Sequence, residues 1–254
     1  MEAVNSKKYS EYISFAKACK CGKVYPLSIA EGYQTGEIFA DSASNPKAVL
    51  FWHYCGFAHI SGEYNEGFLE EIYEMLIDKD RTQNRRFILF TDDKNIGAYF
   101  RSKDKLEISE RYFFEHGSGK PDKADMPEGF ELKEIDSGLL TKISGRITPA
   151  FSWSDMDEFL SKGKGYCVTA DGEAAAWAFS AAISDSEIDI GIETAEKYQR
   201  KGLAVIAAKA MIDYAISVGK APVWACHSQN TGSIKVAEKT GFKKTAECAV
   251  IKGI

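Results

Sequence analysis

Ala195-Glu196-Lys197-Tyr198-Gln199-Arg200-Lys201-Gly202-Leu203-Ala204 runs without a break into Val205-Ile206-Ala207-Ala208-Lys209-Ala210-Met211-Ile212-Asp213-Tyr214-Ala215-Ile216-Ser217-Val218-Gly219. The second segment has the composition of a long buried helix stopped by a glycine. The first is then a strand-to-helix loop. Gly202 and the small Ala204 let the backbone come close to a ligand, so successive amide N–H groups and the helix dipole meet an anion. Such a loop suits a pyrophosphate. A Walker loop and a three-glycine dinucleotide fingerprint are both spelled differently, and Ser161-Lys162-Gly163-Lys164-Gly165 matches neither, so ATP and NAD are not the first ligands to consider.

Upstream, three strands are expected at Gly165 to Ala170, Ala174 to Ile183 and Ser186 to Thr194, the first two joined by the hairpin signal Asp171-Gly172. In the third, Ile188, Ile190 and Ile192 alternate with Glu187, Asp189, Gly191 and Glu193, which predicts one core face and one acidic face. Before these come a strand (Phe130 to Ile135), a helix (Ser137 to Ile143) and a second helix opened by Ser154 or Asp155. Downstream, a strand at Pro222 to Cys226 leads into Asn230-Thr231-Gly232-Ser233-Ile234-Lys235-Val236-Ala237-Glu238-Lys239-Thr240-Gly241-Phe242.

The loop Gln199 to Ala204 resembles the Gln/Arg-x-x-Gly-x-Gly/Ala acyl-CoA loop of the GCN5-related N-acetyltransferases, and Asn230 to Phe242 resembles a second segment of that family. Both lie in order with a buried helix between them, over roughly residue 128 to the end. Ile190 to Thr194, Gly202 to Ala204, Pro222 to Trp224 and Ala237 to Lys239 look most like a zwittermicin-resistance-type subgroup with an extra N-terminal domain. The resemblance implies an α+β fold: a mixed, mostly antiparallel sheet flanked by helices (the acyl-CoA N-acyltransferase fold) in the C-terminal half, with a smaller N-terminal α/β domain. It implies acetyl-CoA as co-substrate, its pantetheine beside Ile192 and Thr194 and its pyrophosphate on Gln199, Arg200, Lys201, Gly202, Leu203 and Ala204. Asn230 and Ser233 complete that cofactor site.

An ammonium with a pKa of about 10.4 has no lone pair for a thioester, so a base must take a proton first. Glu193, at the C-terminal end of its strand, is the first candidate. Many members of the resembled family have a tyrosine where Ala237 stands. Tyr198, His227 or Ser228 could supply the acid in its place, with His227 preferred, or none is needed because a thiol of pKa about 8.5 is a tolerable leaving group. In the resembled fold the segments that carry Trp177 and Ser180 face the acceptor side, which implies these two residues as candidate substrate contacts. The expected activity is direct acetyl transfer to a small-molecule amine, an antibiotic or a polyamine-like compound. A non-catalytic acyl-CoA sensor and a protein or peptide N-acetyltransferase are the alternatives.

The rest of the 254-residue chain bounds these expectations. Glu115 to Gly129, rich in Gly, Pro and charge, reads as a linker and predicts domains at 1–127 and 128–254. No exact internal repeat is evident. In the first half Ala48 to Ile60 predicts two buried strands turning at Gly56. Asn65 or Glu66 opens a helix with Phe68, Leu69, Ile72, Met75 and Leu76 on one face, and Arg86 to Thr91 is another strand. The first half shows no catalytic constellation, His53 and His59 being read as buried histidines. A net charge of −5 argues against nucleic acid as main partner and weakly favours cationic ligands. No apolar run of about 18 residues and no leader-like start is present, so a cytoplasmic protein off the membrane, monomer or homodimer, is expected. Its six cysteines are expected to be reduced, and no metal site is foreseen, because neither they nor the four histidines have ligand spacing.

Overall fold

The computed structural model describes every residue except 118, 120, 121, 123 and 124, which fall within the expected linker and lie outside the described residues. The chain forms two compact units, Met1–Phe113 with Ala246–Ile254, and Phe114–Thr245. The first unit's main segment ends two residues before the Gly/Pro-rich stretch begins, and residues 246–254 join it. A strand runs through 113, and the final residues pair with a strand near residue 90, a long-range choice that composition cannot signal.

The first unit contains β1 (Glu2–Ala3), α1 (Ile13–Ala18), α2 (Val24–Ala30), β2 (Gly36–Ala40), β3 (Ala48–His53), β4 (Phe57–Gly62), α3 (Glu66–Ile77), β5 (Ile88–Thr91), α4 (Lys94–Arg101) and most of β6 (Leu106–His116). The second contains β7 (Phe130–Glu134), α5 (Ser137–Leu140), α6 (Met156–Lys162), β8 (Gly165–Ala170), β9 (Glu173–Ile183), β10 (Glu187–Thr194), α7 (Leu203–Ser217), β11 (Ala221–His227), α8 (Thr231–Lys239) and the start of β12 (Phe242–Gly253). The element order is the same in both: strand, two helices, three strands, helix, strand, helix, strand. The sequence shows no such repeat.

In the first unit β2, β3 and β4 are antiparallel, β4 and β5 are parallel, and β12 closes on β5 through Ala249 to Lys252. Helix α3 starts where Asn65 Oδ1 accepts the Phe68 N–H at 2.9 Å, and its apolar face enters a core with Leu50, Trp52, Ala58, Leu89 and Ile251. Cys21 forms a disulfide with Cys248 across 227 residues, which corrects the expectation of six reduced cysteines. The partner of Cys21 comes from the last strand, so its local spacing held no sign of it.

His53 and His59, on neighbouring strands β3 and β4, are both buried, and burial pushes each imidazole down to about 3 from its ordinary 6.5. Between those values the unfolded chain binds protons that the folded chain refuses, so stability rises with pH there. We therefore expect stability to fall as pH drops below about 6.5, by up to about 1.4 kcal/mol per pH unit per histidine. Denaturant midpoints at pH 7.5 and 5 measure this. Equal slopes in the wild type and a His53→Gln/His59→Gln variant would assign the acid limb elsewhere.

In the second unit β7, β8, β9 and β10 are antiparallel and β11 joins β10 in parallel, giving the expected mixed, mostly antiparallel sheet flanked by helices. Asp171 and Gly172 both have positive φ, 49° and 78°, the form that suits the twist of a two-residue hairpin. Asp155 caps α6, accepting from Asp157 and Glu158 N–H groups. Small Ala176 and Ala178 on β9 and the alanines of α7 allow that helix to pack close to the sheet. The expected acidic face of β10 is not a solvent face. Ile188 to Gly191 are all buried, and the Phe179 ring occupies the space over Gly191, where an added Cβ would meet it at 2.7 Å.

Candidate active site

Strands β10 and β11 pair only from Glu187–Ala221 to Asp189–Val223, and the register of β10 against β9 shifts between Asp189 and Ile190. A bulge of this kind bends a strand and increases its twist. Past it, Ile190 to Thr194 stay with β9, and a cavity of about 700 Å³ opens beside the end of β10.

One side of this cavity is built for an anion. Arg200 and Gly202 both adopt left-handed backbone, φ 62° and 81°, which curls the loop into the first turn of the 15-residue α7. No side chain caps that turn, so its N–H groups and the positive end of the helix dipole face the cavity. Gln199, Arg200, Gly202, Leu203 and Ala204 line it, with Ile192 and Thr194 from β10. Lys201 does not line it; its ammonium lies over the rings of Phe130 and Tyr198, each 5.6 Å away.

The facing side is α8. Asn230 Oδ1 accepts the Ser233 N–H at 3.1 Å, and Ser233 Oγ accepts from the Trp224 indole at 3.0 Å, which fixes the start of the helix at the cavity. Both residues line the cavity, and Gly232, Lys235, Val236 and Lys239 follow on the same helix face. Their three- and four-residue spacing is a signal that sequence reading could have used for the two lysines. Ala237 is fully buried and off the cavity, so the place of the resembled family's tyrosine holds no polar group.

The last wall is the connection between α5 and α6. Pleating puts Glu193 and its cross-strand partner Trp177 on one face of the sheet, with Ile192 and Thr194 on the other. Glu193 Oε2 accepts the Ile147 N–H at 2.5 Å, and the Trp177 indole donates to the Ile147 carbonyl at 2.7 Å. The Ile147 peptide is thus held from both sides, and Arg146 and Ile147 line the cavity beside Glu193. Sequence reasoning missed both, because their place depends on strands 30 and more residues downstream.

Three further candidates do not line the cavity. Trp177 is buried, and its indole holds the Ile147 loop. Ser180 is buried and exchanges hydrogen bonds with the backbone of Lys164, so it is committed to the strand edge. His227 is exposed at the end of β11, accepts the Gln229 N–H at Nδ1 and does not line the cavity. The charge balance is also local: Arg146, Arg200, Lys235 and Lys239 face a single carboxylate, Glu193, so the cavity favours anions although the chain is acidic.

Among the described residues no cluster of His, Cys, Asp or Glu could hold a metal ion, and no helix is long and apolar enough to cross a membrane.

A family model described as GNAT acetyltransferase matches residues 23–251. The chain is 24% identical over 255 residues to the uncharacterized N-acetyltransferase YdfB of Bacillus subtilis (strain 168), covering 98% of this chain and 97% of that protein. A solved GCN5-related N-acetyltransferase-like protein from Streptococcus suis is similar with a TM-score of 0.75 at 20% identity, over 98% of this chain and 100% of that one. A tandem GNAT protein from the clavulanic acid biosynthesis pathway is similar with a TM-score of 0.62 at 10% identity, over 98% and 96% of the two chains. The structural likenesses speak for the fold. The family match starts far upstream of residue 128, where the resemblance of the loop and of the Asn230 segment begins. With that match spanning both units and an uncapped helix start at the cavity, the chain belongs to the GNAT acetyltransferases and is an N-acetyltransferase.

Proposed function

We propose that the cavity binds acetyl-CoA and that the enzyme transfers the acetyl group directly to a small-molecule amine in a ternary complex. The observation that carries this reading is the cavity itself, which joins the uncapped start of α7 to Glu193 at the end of β10. The pyrophosphate meets the amides from Arg200 to Ala204, and Asn230 and Ser233 contact the cofactor from α8. The thioester lies past Ile192 and Thr194. Glu193 accepts a proton from the incoming ammonium, directly or through water; the freed lone pair attacks the carbonyl carbon, the C–S bond breaks, and the thiolate leaves as CoA, taking up the second proton that the nitrogen loses as the amide forms. No protein acid is required, since a thiol of pKa about 8.5 releases its anion readily. Within the family we place the chain in the zwittermicin-resistance-type subgroup, on the combination of Ile190 to Thr194 with Gly202 to Ala204.

The buried Ala237 favours one other reading, a sensor that binds acyl-CoA without turnover. A thermal-shift series with acetyl-CoA, CoA, ATP and NADH tests the cofactor: a hundredfold excess over Kd stabilises the fold by about 2.7 kcal/mol. We expect shifts with acetyl-CoA and CoA only. Absence of both would overturn the reading, and CoA release with an amine panel separates enzyme from sensor.

A further inference from the structure

Resting on that reading, we infer that Arg146 selects the acceptor and that the acceptor is a compact amine carrying a carboxylate, of the amino-acid type. Four cations line the cavity, and they divide by element. Arg200 belongs to the loop before α7, which meets the pyrophosphate in that reading, and Lys235 and Lys239 to α8, which contacts the cofactor through Asn230 and Ser233. Arg146 stands apart from these three, on the connection that packs against Glu193.

Its place is fixed by its two neighbours. The Ile147 N–H is bonded to Glu193 Oε2 at 2.5 Å and the Ile147 carbonyl to the Trp177 indole at 2.7 Å. On the other side Gly145 lies against the same carboxylate: a Cβ there would come within 2.5 Å of Glu193 Oε2. The backbone around Arg146 is therefore held against the group that takes the proton, and its long side chain is the part left free to meet a ligand. The one carboxylate among the residues that line the cavity, Glu193, already accepts the Ile147 N–H. Among the described residues no Asp or Glu lies within ion-pair distance of the Arg146 guanidinium.

A guanidinium in that position offers a planar fork of N–H donors that matches a carboxylate with two parallel bonds. A ligand that places its carboxylate there brings its amine to Glu193 beside it. A polyamine would set a second ammonium against the arginine and be repelled. The acceptor class expected from the chain's net charge is thus reversed by the local charge.

The test uses the full-length enzyme, acetyl-CoA and matched pairs of amines, each an amino acid and its decarboxylated counterpart (lysine and cadaverine, ornithine and putrescine), with CoA thiol release as readout. The wild type should favour the carboxylate-bearing member in kcat/KM by roughly 10- to 100-fold. Arg146→Gln should raise KM for that member by a similar factor and far more than KM for acetyl-CoA, narrowing the gap within each pair. Arg146→Lys should recover only part of it, because an ammonium cannot make the paired bonds. Preference for the decarboxylated amines, or an Arg146→Gln defect confined to KM for acetyl-CoA, would overturn the assignment while the acetyl-transfer reading stood. Stabilisation by acetyl-CoA with no release to either member would overturn the assignment and leave the cofactor site. No stabilisation and no release would overturn both.

Discussion

Gly202→Glu should lower acetyl-CoA affinity by at least about a thousandfold while the protein still folds. An added Cβ meets nothing within 4 Å at this position, so the substitution is not blocked by crowding. The left-handed φ of 81° costs about 1 to 2 kcal/mol for any other residue, and Gly202→Ala measures that part alone. Glutamate adds a carboxylate at the uncapped start of α7, where it satisfies the helix dipole and occupies the amides meant for the ligand. At about 4 Å and an effective dielectric of 20, each negative charge it faces contributes about 4 kcal/mol of repulsion. Calorimetric titration with acetyl-CoA, beside a thermal melt to show the fold, checks the result. Affinity equal to that of Gly202→Ala would remove the phosphates from this loop.

The second large effect is expected at Glu193, where two substitutions separate two duties. Glu193→Gln keeps a carbonyl oxygen to accept the Ile147 N–H and loses the basic oxygen, so kcat should fall by about 10²- to 10⁴-fold with the affinity for acetyl-CoA intact. The pH–rate profile should also lose the limb that reports an essential base. Glu193→Ala removes the anchor as well, freeing the connection that carries Arg146, and should raise KM for the acceptor in addition. If Glu193→Gln turned over at the wild-type rate across pH, the carboxylate would serve only to hold the loop.

Much of the second unit was legible because its signals are local. The Asp171-Gly172 turn, the Asp155 cap, the alternation of β10, the Asn230 cap and the glycine at the start of α7 each fix backbone conformation within a few residues. Their combination located the wall of the cavity that we propose for the cofactor. The wall that we propose for the acceptor was not legible, since Ile147 meets Glu193 and Trp177 only after the sheet has assembled. Alternation places Trp177 on a face but does not say whether its indole meets a ligand or another loop. His227 and Lys201 do not line the cavity: His227 accepts the Gln229 N–H, and the Lys201 ammonium lies over aromatic rings. In the first unit α1 and α2 have six and seven residues, too few for a hydrophobic period to show. The repeated order of elements escaped notice because a core constrains volume and pattern, which many different spellings satisfy.

The closing strand of the first unit has a bearing on how the protein is made. Ala249 to Lys252 pair with β5, and Cys248 meets Cys21 from 227 residues away. A ribosome adding about 5 to 20 residues per second needs roughly 10 to 45 seconds to cover that interval. From the time it is made β5 shows an open edge, and Ile251 is missing from the core beneath α3. The portion made first is thus the portion finished last, so the nascent chain must keep an incomplete sheet from foreign strands until Ala249 to Lys252 have been made.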